Sequence, residues 1–539
     1  MPSILYLDSN ATTYVLPAAI DAATRAMRDQ FGNPSSSHSH GIVAKALLEQ
    51  TRATAAQVIG AGEGHVVFTS GATEGIQTAV LSALRAIGPR NASRGQLLVY
   101  GATEHKAVPQ ALAHWNTVLG LGLELRALPV DSNGQHDLQR LSDWLPDIAL
   151  LCTMAANNET GVVTDLAAIE AMLLQSRSQA LWLVDCVQAL GKLDLNLQHS
   201  RIDYAPFSGH KLYAPKGIGL LYVRRGAPFT PLMAGGGQED GMRSGTENIP
   251  GIAALGAVLN ALQQGGTFAS HATLRAYRDQ LEQSLRSAFP AIVFNAPLGH
   301  SLPTTLNFSV PGITSKVMLD VFDAAGLGVS AGSACSAAKA APSYVLDAMG
   351  LPAWRTTSAV RLSIGALTSR QLVDAACVAI AHCGQVLLAM PAVEDDRQSA
   401  ADEAMDGAHC SAEVVDAMAL QWSELTAFVA AHPSVRLLDV REAFEHQAGH
   451  GILCSGLSAI NVPLSGITTL SPACLDSKAT SVVLVCRSGK RSLKAAQWLH
   501  NQGYAQVRHL QGGLALRPNS VATDITHLPT EETARFSIA

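Results

Sequence analysis

Short apolar runs stand at Val66–Phe68, Leu97–Tyr100, Ile148–Cys152 and Leu181–Val184, each followed by small or polar residues and then a helical pattern. Brief apolar runs bounded by turn residues predict strands buried on both faces. Strands alternating with helices across residues 60–225 predict an α/β fold, a mainly parallel sheet with helices on both sides. Such sheets bind ligands in the loops that follow strand C-termini. Thr73, His105, Asn158 and Asp185 all fall at such points.

The pattern changes twice further along. Leu274, Tyr277, Leu281 and Leu285 recur at helical spacing and predict a core-facing helix that opens a smaller α+β domain, with strands to follow at 303–309 and 360–365. Residues 393–403 are acidic and poor in large apolar side chains, which predicts a linker. Beyond it the α/β pattern restarts, with strands at 435–440 and 482–486 and a helix running to about Asn501. The predicted organisation is a first domain over 1–390, a linker over 391–411, a second α/β domain over 412–520 and a poorly ordered tail over 521–539. Within the first, the large part covers about 15–260; the small part combines the N-terminal segment with about 261–390. A linker of about twenty residues spans about 25 Å as a random coil.

Composition narrows the function classes. A chain of 539 residues exceeds one ordinary core, and 48% hydrophobic with 15% charged residues is globular. A net charge of −6 gives no electrostatic reason to expect nucleic acid. No uninterrupted apolar run approaches the length of a membrane span, and the start lacks a secretory pattern, so a cytoplasmic protein without membrane contact is expected. Nine scattered cysteines with no Cys-x-x-Cys fit a reducing compartment, with neither a disulfide framework nor a zinc site. His38 and His40 have no third ligand nearby in sequence, so no metal is expected.

Chemistry concentrates in Phe207–Gly217, where Lys211 sits in a Gly-, Ser- and His-rich turn instead of on a charged helix face. Upstream, Asp185 closes an apolar strand. An amine and a carboxylate so placed suit pyridoxal phosphate (PLP): the amine takes the cofactor's aldehyde covalently, and the carboxylate keeps the pyridine nitrogen protonated. The turn Ser70-Gly71-Ala72-Thr73-Glu74 leaves backbone N–H groups free at a helix start, where an anion binds; alone, such a turn is an ordinary cap. Gly235–Thr246 is not a dinucleotide fingerprint and by itself reads as a flexible connector.

With Asp185, Gln188 and Lys211 in this order, the chain resembles the class V, fold-type I PLP enzymes from about Tyr6 to about Gln385, and among them the cysteine desulfurases. The resemblance implies that Lys211 carries PLP, Asp185 holds its ring nitrogen, and His105 stacks on the ring and moves protons. Ala72, Thr73, Ser208 and His210 would hold the phosphate. Gln188 and Asn158, the latter in preference to Asn157, would approach the phenolic oxygen. Asn158 and Arg361 would bind the substrate carboxylate. Thr246 would reach the phosphate of a neighbouring subunit, which implies a homodimer. The small-residue stretch 329–344 would be a mobile loop whose Cys335 takes sulfur from L-cysteine.

The second domain carries Cys486-Arg487-Ser488-Gly489-Lys490-Arg491 after an apolar strand and before a helix. Backbone N–H groups at a helix start, with three cationic side chains around the sulfur, would hold an anionic persulfide. This resembles a rhodanese domain. A phosphatase of that fold usually has five residues between Cys and Arg; here there are four, which suits sulfur transfer. No tryptophan follows Gln511-Gly512-Gly513, where the family often has one. The expectation is therefore a cysteine desulfurase fused to a rhodanese, passing sulfur from Cys335 to Cys486 and on to an acceptor protein or small thiophile. The alternatives are a selenocysteine lyase-like enzyme and a non-catalytic sulfur carrier.

Overall fold

A computed structural model describes residues 4–88, 96–331, 342–389, 410–449, 452–454, 456–469, 475 and 477–518. Cys335 with most of its loop, almost all of the predicted linker and the predicted tail lie outside the described residues. The chain divides into two compact units. The first comprises Tyr6–Lys316 and Val329–Asp374; the second gathers Val317–Gly328 and the described residues from Ala375 onward.

The first unit is built on a seven-stranded sheet. Its strands are β1 (His65–Thr69), β2 (Leu97–Gly101), β3 (Glu124–Leu128), β4 (Ile148–Met154), β5 (Leu181–Asp185), β6 (Tyr204–Ser208) and β7 (Gly219–Val223), in spatial order β1-β7-β6-β5-β4-β2-β3. Only β7 runs against its neighbours. Successive side chains alternate between two cores: Val99, Leu151, Trp182 and Val184 face one, and Leu98, Leu150, Cys152 and Leu183 the other. Both faces are covered, which is why these strands read as unbroken apolar runs. Gly219 is required where β7 crosses the turn after β1, since a Cβ there would lie 2.4 Å from Phe207 O and 2.8 Å from Gly71 Cα.

A four-stranded antiparallel sheet completes this unit, in the order Ser330–Ala331, Val360–Ser363, Thr305–Ser309, Val293–Phe294. Arg361 stands opposite Asn307 and Ser330 in its register. The N-terminal segment joins it through a bridge from Asp8 to Ser363. The predicted amphipathic helix is His271–Ala288, with Leu274, Leu281 and Leu285 buried.

The second unit holds a five-stranded parallel sheet, ordered Ala419–Leu420, Val507–Leu510, Val482–Val485, Arg436–Asp439, Ile460–Asn461. Alternation again serves two cores, Leu438 and Leu484 on one face and Leu437 and Val483 on the other. One membrane expectation needs correcting: the helix Arg370–Leu388 is long and apolar enough to cross a membrane by length and composition. Reading for uninterrupted runs missed it because Asp374 and His382 break the run. Val373, Ala376, Ile380 and Cys383 are buried at three- and four-residue spacing, the pattern of a helix with one packed face.

Candidate active site

The C-terminal ends of β1, β2, β4, β5 and β6 open into one cleft of about 810 Å³. Ala72, Thr73, His105, Asn158, Asp185, Gln188, Ser208, His210, Lys211 and Arg361 all line it. Thr246 does not; it lines a separate cavity of about 100 Å³ with Phe68, Ser70 and Arg243.

Lys211 ends a short 3-10 turn after β6, and its Nζ donates to Asn10 O and Ala11 O, each at 2.7 Å. Asp185 is the last residue of β5, where the strand carries it into the cleft while leaving it 5% exposed. Burial pushes its carboxyl up; the Val187 N–H at 2.9 Å, His105 and Lys211 pull the other way. His105 follows β2, and its Nδ1 accepts from Ala107 N at 3.2 Å, which fixes the ring. Burial of the ring lowers its pKa, with Lys211 and Lys106 acting in the same sense and Asp185 against them. His210 Nδ1 lies 3.1 Å from Thr12 Oγ1, and burial, then Lys211 and Lys216, bring its pKa down to about 4.

At the other end of the cleft, Gly71 starts the helix Ala72–Ile87. Glu74 in the first turn would oppose an anion there, but its carboxylate accepts from Ser70 N at 2.8 Å and pairs with Arg243 Nε at 3.0 Å. Arg243 belongs to the glycine-rich stretch read as a connector. That stretch is tied down, because the buried Glu239 also takes both Arg52 Nη1 and Nη2, at 2.7 and 2.8 Å, and accepts from Phe68 N at 3.0 Å.

The two adjacent asparagines separate by their bonds. Asn157 is spent on its own turn, with Oδ1 accepting from Glu159 N and Thr160 N and Nδ2 donating to Thr103 O. Asn158 lines the cleft, and its buried Oδ1 has no partner among the described residues. Arg361, 2% exposed, donates from Nη2 to Asp8 Oδ1 at 2.6 Å and from Nη1 to Asn158 O at 2.9 Å, while its buried Nε has no partner among the described residues. These orphaned groups, an amine, a buried carboxylate and a helix start fit a cofactor with an aldehyde, a basic ring nitrogen and a phosphate. The resemblance also implied that the loop carrying Asp8 and Asn10 lines the site, but sequence reasoning gave neither residue a role of its own, and it missed Lys192. Asn10 O and Oδ1 accept from Lys211, Gln188 and Lys192, and Nδ2 reaches Asn158 O. The signal for Lys192 was its four-residue spacing from Gln188.

In the second unit Cys486 directly follows the strand Val482–Val485 and is fully buried. Its Sγ accepts from Gly489 N at 3.2 Å and Ser492 N at 3.3 Å, at the start of the helix Lys490–Asn501. Gly489 takes φ 86° to turn the chain there. The three cations do not all face the sulfur freely: Arg491 pairs with both oxygens of Glu445, and Arg487 pairs with Asp320 at 2.9 Å and Asp323 at 2.8 Å. Backbone N–H groups are thus the direct donors to Sγ. Ser488 and Lys490 are exposed. Trp422, far away in sequence, packs at the Gln511–Gly513 turn and donates to Gly513 O at 2.9 Å.

Residues 5–376 match the aminotransferase class-V family and residues 422–516 the rhodanese-like domain family. A cysteine desulfurase of Gluconacetobacter diazotrophicus is 40% identical over 373 residues, 69% of this chain and 90% of that protein. One from Nostoc sp. is 38% identical over 375 residues, with the same coverage. A solved NifS-like protein superposes with a TM-score of 0.63 at 30% identity, over 71% of this chain and 99% of that one.

Proposed function

Since this chain belongs to the class-V aminotransferase family and carries a rhodanese-like domain behind it, we propose that it removes sulfur from L-cysteine on Cys335 and relays it through Cys486 to an acceptor. It is a sulfur-transferring enzyme of the cysteine desulfurase kind, and its cofactor is PLP. The observation that carries the reading is the convergence of Lys211, Asp185, His105, Gln188, Asn158 and Arg361 on one cleft.

When bound, PLP supplies an electron sink that lets the substrate Cα proton leave. Lys211 would hold the cofactor and, once displaced, move that proton on Nζ. Asp185 would pair with the ring nitrogen, His105 would cover the ring, and Gln188 and Asn158 would flank the phenolic oxygen. Ala72, Thr73, Ser208 and His210 would bind the phosphate. Arg361 would orient the substrate through its carboxylate, using N–H groups that Asp8 and Asn158 leave free.

Cys335 thiolate would attack the substrate sulfur; the C–S bond breaks, an S–S bond forms, and protonation at carbon gives L-alanine. L-Cysteine and one thiol thus become L-alanine and one persulfide, with no outside oxidant. Cys486 thiolate would then take the outer sulfur and return Cys335 to its thiolate. The Gly489 and Ser492 N–H groups support an anionic sulfur there. The relay joins a desulfurase part reaching to about residue 390 with a rhodanese part starting near 412.

The homodimer is part of the reading. Tyr14, Ile20, Met27, Phe31, Ile42 and Val43 expose large apolar area on the first unit, and Thr246 lies outside its own chain's cleft. Among the described residues Cys152, Cys186, Cys383, Cys410 and Cys486 form no disulfide, which suits a reducing compartment such as the cytoplasm. The test is alanine formation from L-cysteine by wild-type and Cys335→Ser protein. Wild type should form it and the variant should not; alanine formation at an equal rate by both would remove Cys335 from the reaction.

A further inference from the structure

Lys192 is buried, 8% exposed, and its partners among the described residues are two amide oxygens, not a carboxylate. Its Nζ donates to Gln188 Oε1 at 2.5 Å and to Asn10 Oδ1 at 3.3 Å. Keeping an amine here is unfavourable, and the pKa shows it: burial first, then Lys211 and Arg361, bring it down to about 7. An apolar side chain would fill the same space without that cost, so the amine is explained by what it holds. Both acceptors belong to residues that line the cleft, whereas Lys192 does not line it.

Side-chain amides have two ends, and either can face a partner that both donates and accepts. A lysine in its ammonium form, which two amide oxygens within reach favour, only donates. Facing Lys192, Gln188 must therefore present Oε1, which turns its Nε2 toward Asn10 O at 3.1 Å on the cleft side. Asn10 must likewise present Oδ1, so its Nδ2 points at Asn158 O, 3.2 Å away, and Thr305 Oγ1, 2.9 Å away. Asn10 O is in turn one of the two carbonyls that hold Lys211 Nζ. One buried amine thus sets the sense of two amides beside the cofactor-bearing lysine.

We propose that Lys192 is a positioning residue of the cofactor site, locking Gln188 and Asn10 in the orientation that offers PLP the Gln188 N–H not spent on Asn10 O and anchors Lys211. This rests on the PLP reading of the cleft. It assigns Lys192 no contact with substrate or cofactor.

The experiment uses the full chain stripped of PLP and titrated with it, comparing wild type, Lys192→Met, Lys192→Gln, Gln188→Met and the Lys192→Met/Gln188→Met double variant. The readouts are the PLP dissociation constant, the absorption maximum of the bound cofactor and the melting temperature of each apo-protein. Lys192→Met should weaken PLP binding about 10-fold, the worth of one well-placed hydrogen bond, and move the absorption maximum. Lys192→Gln, whose own amide accepts either sense of Gln188, should do the same to a smaller degree and decides the matter if the methionine variant does not fold. In the Gln188→Met background the Lys192 change should add less than about 2-fold, because the two act as one unit. Binding within about 2-fold of wild type with an unmoved absorption maximum, in every Lys192 variant that folds, overturns the proposal, as does full additivity in the double variant. If wild-type protein itself fails to bind PLP, the reading of the cleft falls instead, so the two failures are distinguishable.

Discussion

Replacing Arg361 with alanine tests the proposed recognition of the substrate carboxylate. A guanidinium has five N–H groups. One on Nη2 goes to Asp8 and one on Nη1 to Asn158 O, while Nε is buried without a partner, so among the described residues three remain for a ligand. Two charge-assisted bonds to a carboxylate, less the geometry they share with the existing partners, contribute about 3 kcal/mol, or about 150-fold in kcat/KM. Folding should suffer less: the Asp8 side chain is 18% exposed and can take up water, so the loss is about 1–2 kcal/mol and not the full cost of a broken buried pair. The assay is initial-rate alanine formation over a series of L-cysteine concentrations, alongside the affinity for cysteamine, which lacks the carboxylate. Cysteine kcat/KM should fall about 150-fold while cysteamine affinity stays within about 2-fold. An equal loss for both ligands, or a loss for cysteine under about 5-fold, would refute the assignment.

Lys211→Ala should leave PLP removable by dialysis and abolish alanine formation, which absorbance of the dialysed protein and an alanine assay would check. His136 is held at a pKa of about 4 by burial, against 6.5 unfolded. Its contribution to stability is full above pH 6.5, declines as the unfolded chain takes up a proton that the folded one refuses, and levels off below about pH 4, a change of about 3 kcal/mol. His136→Gln should flatten that part of the stability–pH curve in denaturant titrations. Glu445 is 1% exposed under Arg491, so Glu445→Gln should cost about 3 kcal/mol in the unfolding of the second unit and slow thiosulfate-to-cyanide transfer.

Strands buried on both faces announce themselves as apolar runs, and β1, β2, β4 and β5 were legible for that reason. So were the residues at their ends, since a cleft at strand C-termini collects whatever polar side chains close those runs. What could not be read was pairing over long separations. Asp8 meets Arg361 and Asn10 meets Lys211 only because the N-terminal segment crosses the finished cleft. Lys192, next to Gly191 in a short turn, looks like any solvated lysine until packing removes its water. The cations after Cys486 were visible, but the carboxylates that occupy Arg487 and Arg491 lie far from them in sequence. The helix Arg370–Leu388 escaped notice because its apolar character is spread around polar interruptions.

The relay is tested most directly by mapping sulfur on the intact chain. Wild-type protein loaded with PLP is given L-cysteine, its thiols and persulfides are trapped by alkylation, and the Cys335 and Cys486 peptides are weighed over time. The account predicts one extra sulfur first on Cys335 and then on Cys486, with Cys335→Ser showing it on neither and Cys486→Ser showing it on Cys335 alone. Sulfur that never reaches Cys486 from L-cysteine, in a chain that still moves sulfur from thiosulfate to cyanide, would contradict it: the two units would then be separate activities on one polypeptide.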